Sequence, residues 1–266
     1  MYICKESQIW PDVTDDAFFD GAIQILQPRK GYRAGIDAVL LAASLDIKEH
    51  EKAQVLDAGA GVGVAGLSVA ARCPQAFVTL LEKQQVLTEI AQHNIARNRF
   101  EDRVHVKMAD LLTPAAMSRL KQPYFDHVIS NPPFYDADAI RASDNTLKAQ
   151  SNAMPRGDLK DWIKFMAMAT KPGGSATVIH LAERLGELLQ FFAPYFGGIQ
   201  IQILYPRKHE TANRILIRGI RGSRAPMQIG PGRILHTKDH TFDPQIERVL
   251  RKPVAWPIWQ ATKSGT

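Results

Sequence analysis

The tetrapeptide Asn131-Pro132-Pro133-Phe134 follows directly on an apolar run at 125–130, and its composition suits one kind of chemistry. As turn chemistry it is ordinary, since prolines end a strand and Asn tolerates unusual backbone angles. As a site it offers two acceptors, the Asn131 side-chain oxygen and the Pro132 carbonyl, held at fixed angles by two rings and followed by a flat apolar face. Two such acceptors match the two N–H bonds of a planar amino group. The nitrogen of that group is a poor nucleophile because its lone pair is delocalised, and acceptors aimed at it stabilise the positive charge that grows during alkylation. Adenine N6, guanine N2, cytosine N4 and the glutamine amide nitrogen all fit. Stacking on Phe134 would contribute about 1–3 kcal/mol to holding a base, which must first be flipped out of structured nucleic acid.

A second constellation is Asp57, Gly59, Ala60, Gly61 and Gly63, glycines that follow an acid-ended apolar run and open a helix. Glycines serve where backbone turns tightly and approaches a ligand. Gly61, Gly63 and Gly66 also spell the short dinucleotide fingerprint, a weak signal when alone. Against a dinucleotide stand three acids at three successive strand ends: Asp57, Glu82 placed 25 residues later, and Asp110. Glu82 is placed to accept ribose hydroxyls, and Asp110 to accept an adenine amino group. With their neighbours Lys83, Ala109 and Leu111 they suit S-adenosylmethionine, an adenosine carrying a cationic sulfonium amino acid, better than a pyrophosphate. Taken singly, each acid is a helix cap or a solvated loop residue.

The elements that must position these residues alternate between strand and helix. Strands are expected at 53–57, 77–82, 104–108, 125–130 and 175–180, the last after a turn at Pro172-Gly173-Gly174. Helices are expected at 64–72, over Val86 to Ile95, at 158–170 and at 182–192. This α/β rhythm implies a mostly parallel, Rossmann-like sheet covered on both faces. Residues 199–205 and 212–220 are separated by too few residues for a parallel crossover, so they form a terminal antiparallel hairpin. The layout is similar to the class I methyltransferase sheet. One domain is expected, with a cofactor-covering segment at 1–50, a catalytic core at 51–222 and a basic extension at 223–266.

Composition excludes several alternatives. With 266 residues, 45% hydrophobic and 23% charged, the chain can bury a full core. Its two cysteines, Cys4 and Cys73, form no CxxC pair, and the eight histidines show no ligand spacing, so no metal is expected. No leader-like segment precedes Asp12 and no run of roughly 18 apolar residues occurs, giving the reading of a soluble, cytoplasmic, non-membrane protein. The net charge of +6 is unevenly placed: 1–204 carries 21 Lys+Arg against 23 Asp+Glu, whereas 205–266 carries 12 against 4. Arg207, Lys208, Arg214, Arg218, Arg221 and Arg224 are therefore the expected contacts to an RNA backbone. The polar stretch 135–156 is expected to be a substrate lid, and Trp256 and Trp259 to be tail packing.

The segment Gln27-Pro28-Arg29-Lys30-Gly31-Tyr32-Arg33, continuing through Gly35-Ile36-Asp37 into an apolar helix, reads by spacing as a wet loop with Asp37 as a cap. Taken with the glycine loop, Ser-Asn-Pro-Pro-Phe, Thr241-Phe242-Asp243-Pro244 and Val249-Leu250-Arg251, it resembles the bacterial tRNA adenine-N6 methyltransferases that modify the adenine beside the anticodon of valine tRNA. The resemblance runs from about Asp15 to Arg251. It implies S-adenosylmethionine as cofactor, Tyr32, Arg33 and Asp37 near the cofactor's amino-acid end, and Asn131, Pro132 and Phe134 at the target. Guanine-N2 methylation of ribosomal RNA, glutamine methylation of a release factor, and a non-catalytic RNA-binding protein with the same fold are the alternatives.

Overall fold

The computed structural model describes residues 12–30, 33–48, 50–113, 125–136, 153–154, 158–239 and 241–259. Tyr32, Cys4 and nearly all of the expected lid at 135–156 lie outside these.

The core strands are β3 (Gln54–Ala58), β4 (Phe77–Glu82), β5 (Val104–Met108) and β6 (Phe125–Ser130), then β9 (Thr170–Leu181), β10 (Phe196–Tyr205) and β11 (Arg214–Arg221). Two-residue strands β7 (Tyr135–Asp136) and β8 (Ala153–Met154) pair with each other in a separate small sheet. Equally short strands β12 (Gln228–Ile229) and β13 (Arg233–Ile234) both pair with β10. The order across the main sheet is β12-β10-β11-β9-β6-β3-β4-β5. Within it β11 runs against both β9 and β10, while the other pairs are parallel. The terminal hairpin was therefore legible, although β12 and β13 extend the sheet beyond it.

Helices α1 (Ile36–Ala43), α2 (Val64–Arg72) and α3 (Gln85–Arg97) cover one face; α4 (Asp158–Ala169) and α5 (Leu185–Phe192) cover the other. Strand alternation divides the apolar residues between the two layers. Val55, Leu80, Ile179 and Leu216 join the first, and Leu56, Leu81, Val178 and Ile217 the second.

Two expected boundaries shift for a steric reason. The Pro172-Gly173-Gly174 turn is absorbed into β9 as an irregularity between the Phe125 and His127 pairings, with Gly173 at φ 79°. A Cβ on Gly174 would stand 2.8 Å from the Asp126 carbonyl oxygen, so the strand passes there only as glycine. Similarly, β10 begins at Phe196 and bulges at Gly197.

An antiparallel hairpin, β1 (Val13–Phe18) and β2 (Ile23–Pro28), stands outside the main sheet and was not expected. Asn94 and Asn98 hold it by serving as a surrogate strand. Asn94 Oδ1 accepts from the Leu26 N–H at 2.8 Å and Asn98 Oδ1 from the Gln24 N–H at 2.9 Å. Their amide nitrogens donate back to the Leu26 and Gln24 carbonyls. Asn94 also donates to the Val62 carbonyl at 3.1 Å, tying the hairpin to the glycine loop.

The tail closes the first layer. Asp243 caps α6 (Pro244–Arg251), its carboxylate accepting from the Gln245 N–H. Beyond α6, the Trp256 N–H donates to the Ala43 carbonyl at 2.8 Å, the Trp259 indole N–H to the Ser44 carbonyl at 2.6 Å, and Arg72 to the Leu45 carbonyl at 3.0 Å. Carbonyls at the end of α1 thus find partners. Trp256 is 1% exposed, so both tryptophans are packing residues. Replacing Trp256 with Ala should lower unfolding stability by about 3–5 kcal/mol in chemical denaturation; a loss under about 1 kcal/mol would show that the tail is dispensable to the core.

Candidate active site

The crevice forms where the strand order reverses, between β3 and β6, at the carboxyl ends of the parallel strands. On the β3 side the chain turns through Gly59, Gly61 and Gly63, with φ of 75°, 57° and 95°. The Gly59 and Ala60 N–H groups both donate to the Leu81 carbonyl, at 2.9 and 3.0 Å. The Gly61 N–H donates to Glu82 Oε2 at 3.0 Å, and the Gly66 N–H to Asp57 Oδ2 at 2.8 Å. A Cβ on Gly59 would meet the Trp162 ring at 2.5 Å, whereas one on Gly61 would meet nothing within 4 Å. The loop is packed behind and open in front, a cradle suited to a ligand.

Asp57 is 2% exposed, and its Oδ2 accepts from the Gly66 N–H in α2, so it helps shape the loop. Burial pushes its pKa up to about 7; the Gly66 N–H opposes the shift and the charge of Glu82 adds to it. Glu82 is 6% exposed and also accepts from the Gln84 N–H through Oε1, leaving further lone pairs on both oxygens. Asp110 accepts from the Leu112 N–H at 3.0 Å and is half-buried, with Ala109 beside it and Leu111 buried. Lys83 is exposed.

Asp158 stands in the first turn of α4, near Lys83, Asp110 and Asp161. Burial holds its carboxyl above the usual range, Lys83 lowers it, and Asp110 and Asp161 raise it, so it shares their field.

The tetrapeptide leaves β6 beside this loop. The Ser130 hydroxyl donates to the Ala58 carbonyl at 2.6 Å and accepts from the Trp162 indole N–H at 2.9 Å. Asn131 and Pro133 are half-buried, and Pro132 and Phe134 buried. The Phe134 ring meets His180 edge-on at 5.3 Å, and the Arg214 guanidinium lies 4.7 Å from its centroid.

The front segment is tied into the fold by its charged side chains. Arg33 donates to both Asp16 oxygens, at 3.0 and 2.8 Å, and to the Thr14 hydroxyl. Asp37 makes no cap, because Gly35 holds that position and Asp37 lies in the first turn. Its carboxylate accepts instead from Arg214 Nε at 2.9 Å.

The six basic residues do not form one stripe. Arg207 and Lys208 follow β10, and Arg214 opens β11, all at the tetrapeptide's end of the sheet. Arg218 lies midway, bonded to Gln200 Oε1 and set over the Trp259 ring at 5.0 Å. Arg221 donates to the Met168 and Thr170 carbonyls, and Arg224 follows it at the far end. Alternation does put Arg214 and Arg218 on one face, but seven strand steps carry the chain about 23 Å from Arg214 to Arg221. Among the described residues no three metal-ligating side chains cluster, and no helix is long and apolar enough to cross a membrane.

The raised pKa of Asp57 has a measurable consequence. The folded state keeps a proton that the unfolded chain releases near pH 3.8, so the stability contributed by this group declines as pH rises from about 4 to about 7. Wild-type stability relative to Asp57→Asn should fall across that window in chemical denaturation. A flat or rising difference would show the carboxylate ionised throughout.

Comparison with known proteins agrees with this geometry. A family model described as methyltransferase small domain matches residues 34–157. A relative in Porphyromonas gingivalis, named tRNA1(Val) (adenine(37)-N6)-methyltransferase, is 30% identical over 188 residues, 68% of this chain and 71% of that one. A relative of the same name in Shewanella putrefaciens is 24% identical over 233 residues, covering 87% of this chain and 89% of its own. A solved structure described as a predicted O-methyltransferase, from Agrobacterium tumefaciens, superposes with a TM-score of 0.69 at 29% identity, covering 83% of this chain and 98% of that chain. The family match takes in Asp37, the glycine loop and the tetrapeptide, pieces that the fold gathers at one end of the sheet, and the chain belongs to this family of S-adenosylmethionine-dependent methyltransferases.

Proposed function

We propose that this methyltransferase acts on the exocyclic N6 of an adenine in tRNA, with the adenine beside the anticodon of valine tRNA as the leading substrate. The observation that carries the reading is the Asn131-Pro132-Pro133-Phe134 tetrapeptide anchored beside the glycine loop through Ser130. The relatives named for that reaction support it. A tRNA substrate would also place the protein in the cytoplasm.

S-adenosylmethionine, when bound, supplies an electrophilic methyl carbon on a sulfonium. Gly59, Ala60, Gly61 and Gly63 would frame it, Glu82 would accept from its ribose, and Asp110, with Ala109, Leu111 and Lys83 adjoining, would hold the adenine end. Asp57 acts behind them, keeping the loop in shape. At the target, the Asn131 side-chain oxygen and the Pro132 carbonyl accept the two amino N–H bonds and turn the nitrogen lone pair toward the crevice. As charge grows on that nitrogen both acceptors gain strength, and the surplus proton leaves to water. An oxygen nucleophile carries at most one proton and would leave one acceptor unused, which separates this chemistry from O-methyl transfer. The basic residues at the same end, Arg207 and Lys208, favour RNA over a release-factor glutamine.

Incubation with labelled S-adenosylmethionine and, separately, tRNA, ribosomal RNA and release factor should label adenine in tRNA. Label in guanine of ribosomal RNA or in glutamine would overturn the reading. Asn131→Ala should cost about 10²–10³ in rate if these acceptors resemble the donors of oxyanion holes. Exchanging Arg207 and Lys208 together for Ala should weaken RNA binding and flatten its logarithmic salt dependence by about 0.7 for each phosphate no longer neutralised, whereas Arg224→Ala should leave the slope unchanged.

A further inference from the structure

We propose that Arg214 is a positioning residue for methyl transfer: Asp37 holds its guanidinium against Phe134, fixing the ring on which the target base stacks. The proposal rests on the proposed function for the identity of the acceptor only.

Because β11 runs against its neighbours, its first residue, not its last, arrives at the carboxyl ends of the parallel strands. That residue is Arg214, paired in register with Leu181, and the adjacent His180 meets the edge of the Phe134 ring. Arg214 Nε donates to Asp37 Oδ2 at 2.9 Å, and its Nη1 to the Asn213 carbonyl at 3.0 Å. Both partners of the ion pair are mostly covered, with side-chain exposures of 23% for Arg214 and 17% for Asp37. The planar group thereby meets the Phe134 ring 4.7 Å from its centroid. A guanidinium combines charge attraction to the ring with a flat face, and here two of its three nitrogens are already engaged within the protein. A freely reaching phosphate ligand would not be tethered in this way.

Asp37 thus acts at one remove. It fixes Arg214, Arg214 and His180 fix the ring tilt, and the ring fixes the plane of a stacked base relative to Asn131 and Pro132. Small errors in that plane misdirect the nitrogen lone pair, so the loss falls on turnover more than on binding.

The test places 4-fluorophenylalanine at position 134 and follows its fluorine resonance in wild type, Asp37→Asn, Arg214→Gln, Arg214→Lys and the Asp37→Asn/Arg214→Gln double variant. Asp37→Asn and Arg214→Gln should shift the resonance in the same direction, and the double variant no further than Arg214→Gln, with every variant still folded and melting cooperatively well above the assay temperature. In the unlabelled proteins kcat should fall about tenfold with KM for S-adenosylmethionine and RNA retained, and Arg214→Lys, which keeps charge but not the flat face, should fall between. An unmoved resonance in both single variants overturns the proposal. So does a raised KM for S-adenosylmethionine with kcat retained in Asp37→Asn, which would make Asp37 a cofactor contact. A flattened salt dependence with kcat retained in Arg214→Gln would make Arg214 a phosphate ligand and overturn it equally. The fluorine readout needs no substrate, so label in guanine instead of adenine defeats the functional reading and leaves this one standing, whereas label in glutamine removes the stacked base and defeats both.

Discussion

The Ser130 hydroxyl is the point on which the arrangement depends. Backbone pairing between β3 and β6 runs as far as Asp57 and Ile129, and there the two strands must part to make a crevice. Ser130 continues the ladder one step by side chain, donating to the Ala58 carbonyl that would have paired next. A hydroxyl donates only one hydrogen bond but can also accept, and the Trp162 indole takes up the accepting side. One atom therefore locks the glycine loop, the tetrapeptide and the α4 helix in a single register. The same closeness explains Gly59, since any side chain there would enter the Trp162 ring.

Much of this was legible because its signals are local. Apolar runs ending in acids marked β3, β4 and β5, and the short gap between residues 205 and 212 left only an antiparallel pairing. The functions of individual side chains were less legible. Asp57 carries the right type at the right spacing, yet whether a carboxylate faces a ligand or a helix N–H depends on a rotamer that no spacing reports. Asp37 and Arg214 are 177 residues apart, and nothing in either neighbourhood marks them as partners. The β1–β2 hairpin is weakly marked in the sequence because Asp15 and Asp16 are poor strand formers, and because its docking partners are two asparagine side chains rather than a strand.

Charge shows the same limit at larger scale. The excess of positive residues after 204 is real, but sequence proximity on a strand becomes distance along the sheet. Arg218 and Arg221 serve Gln200, Trp259 and the carbonyls at the end of α4, so they do the work of polar mortar between layers. What remains at the crevice end is a smaller set, and its members are better separated into those that hold the protein's own groups and those that face outward.

The route of the chain gives the site an order of assembly. Asp37 leaves the ribosome early, whereas Arg214 lies in the last quarter of the chain, and the tryptophan that closes the end of α1 comes later still. Helix α1 can pack on α2 as soon as both are made, but Asp37 and the last carbonyls of the helix find their partners only when nearly the whole polypeptide exists, and contacts of such long sequence separation are slow to close. A nascent or carboxyl-truncated chain thus holds the glycine loop and the tetrapeptide before Arg214 arrives to pair with Asp37 and meet the Phe134 ring.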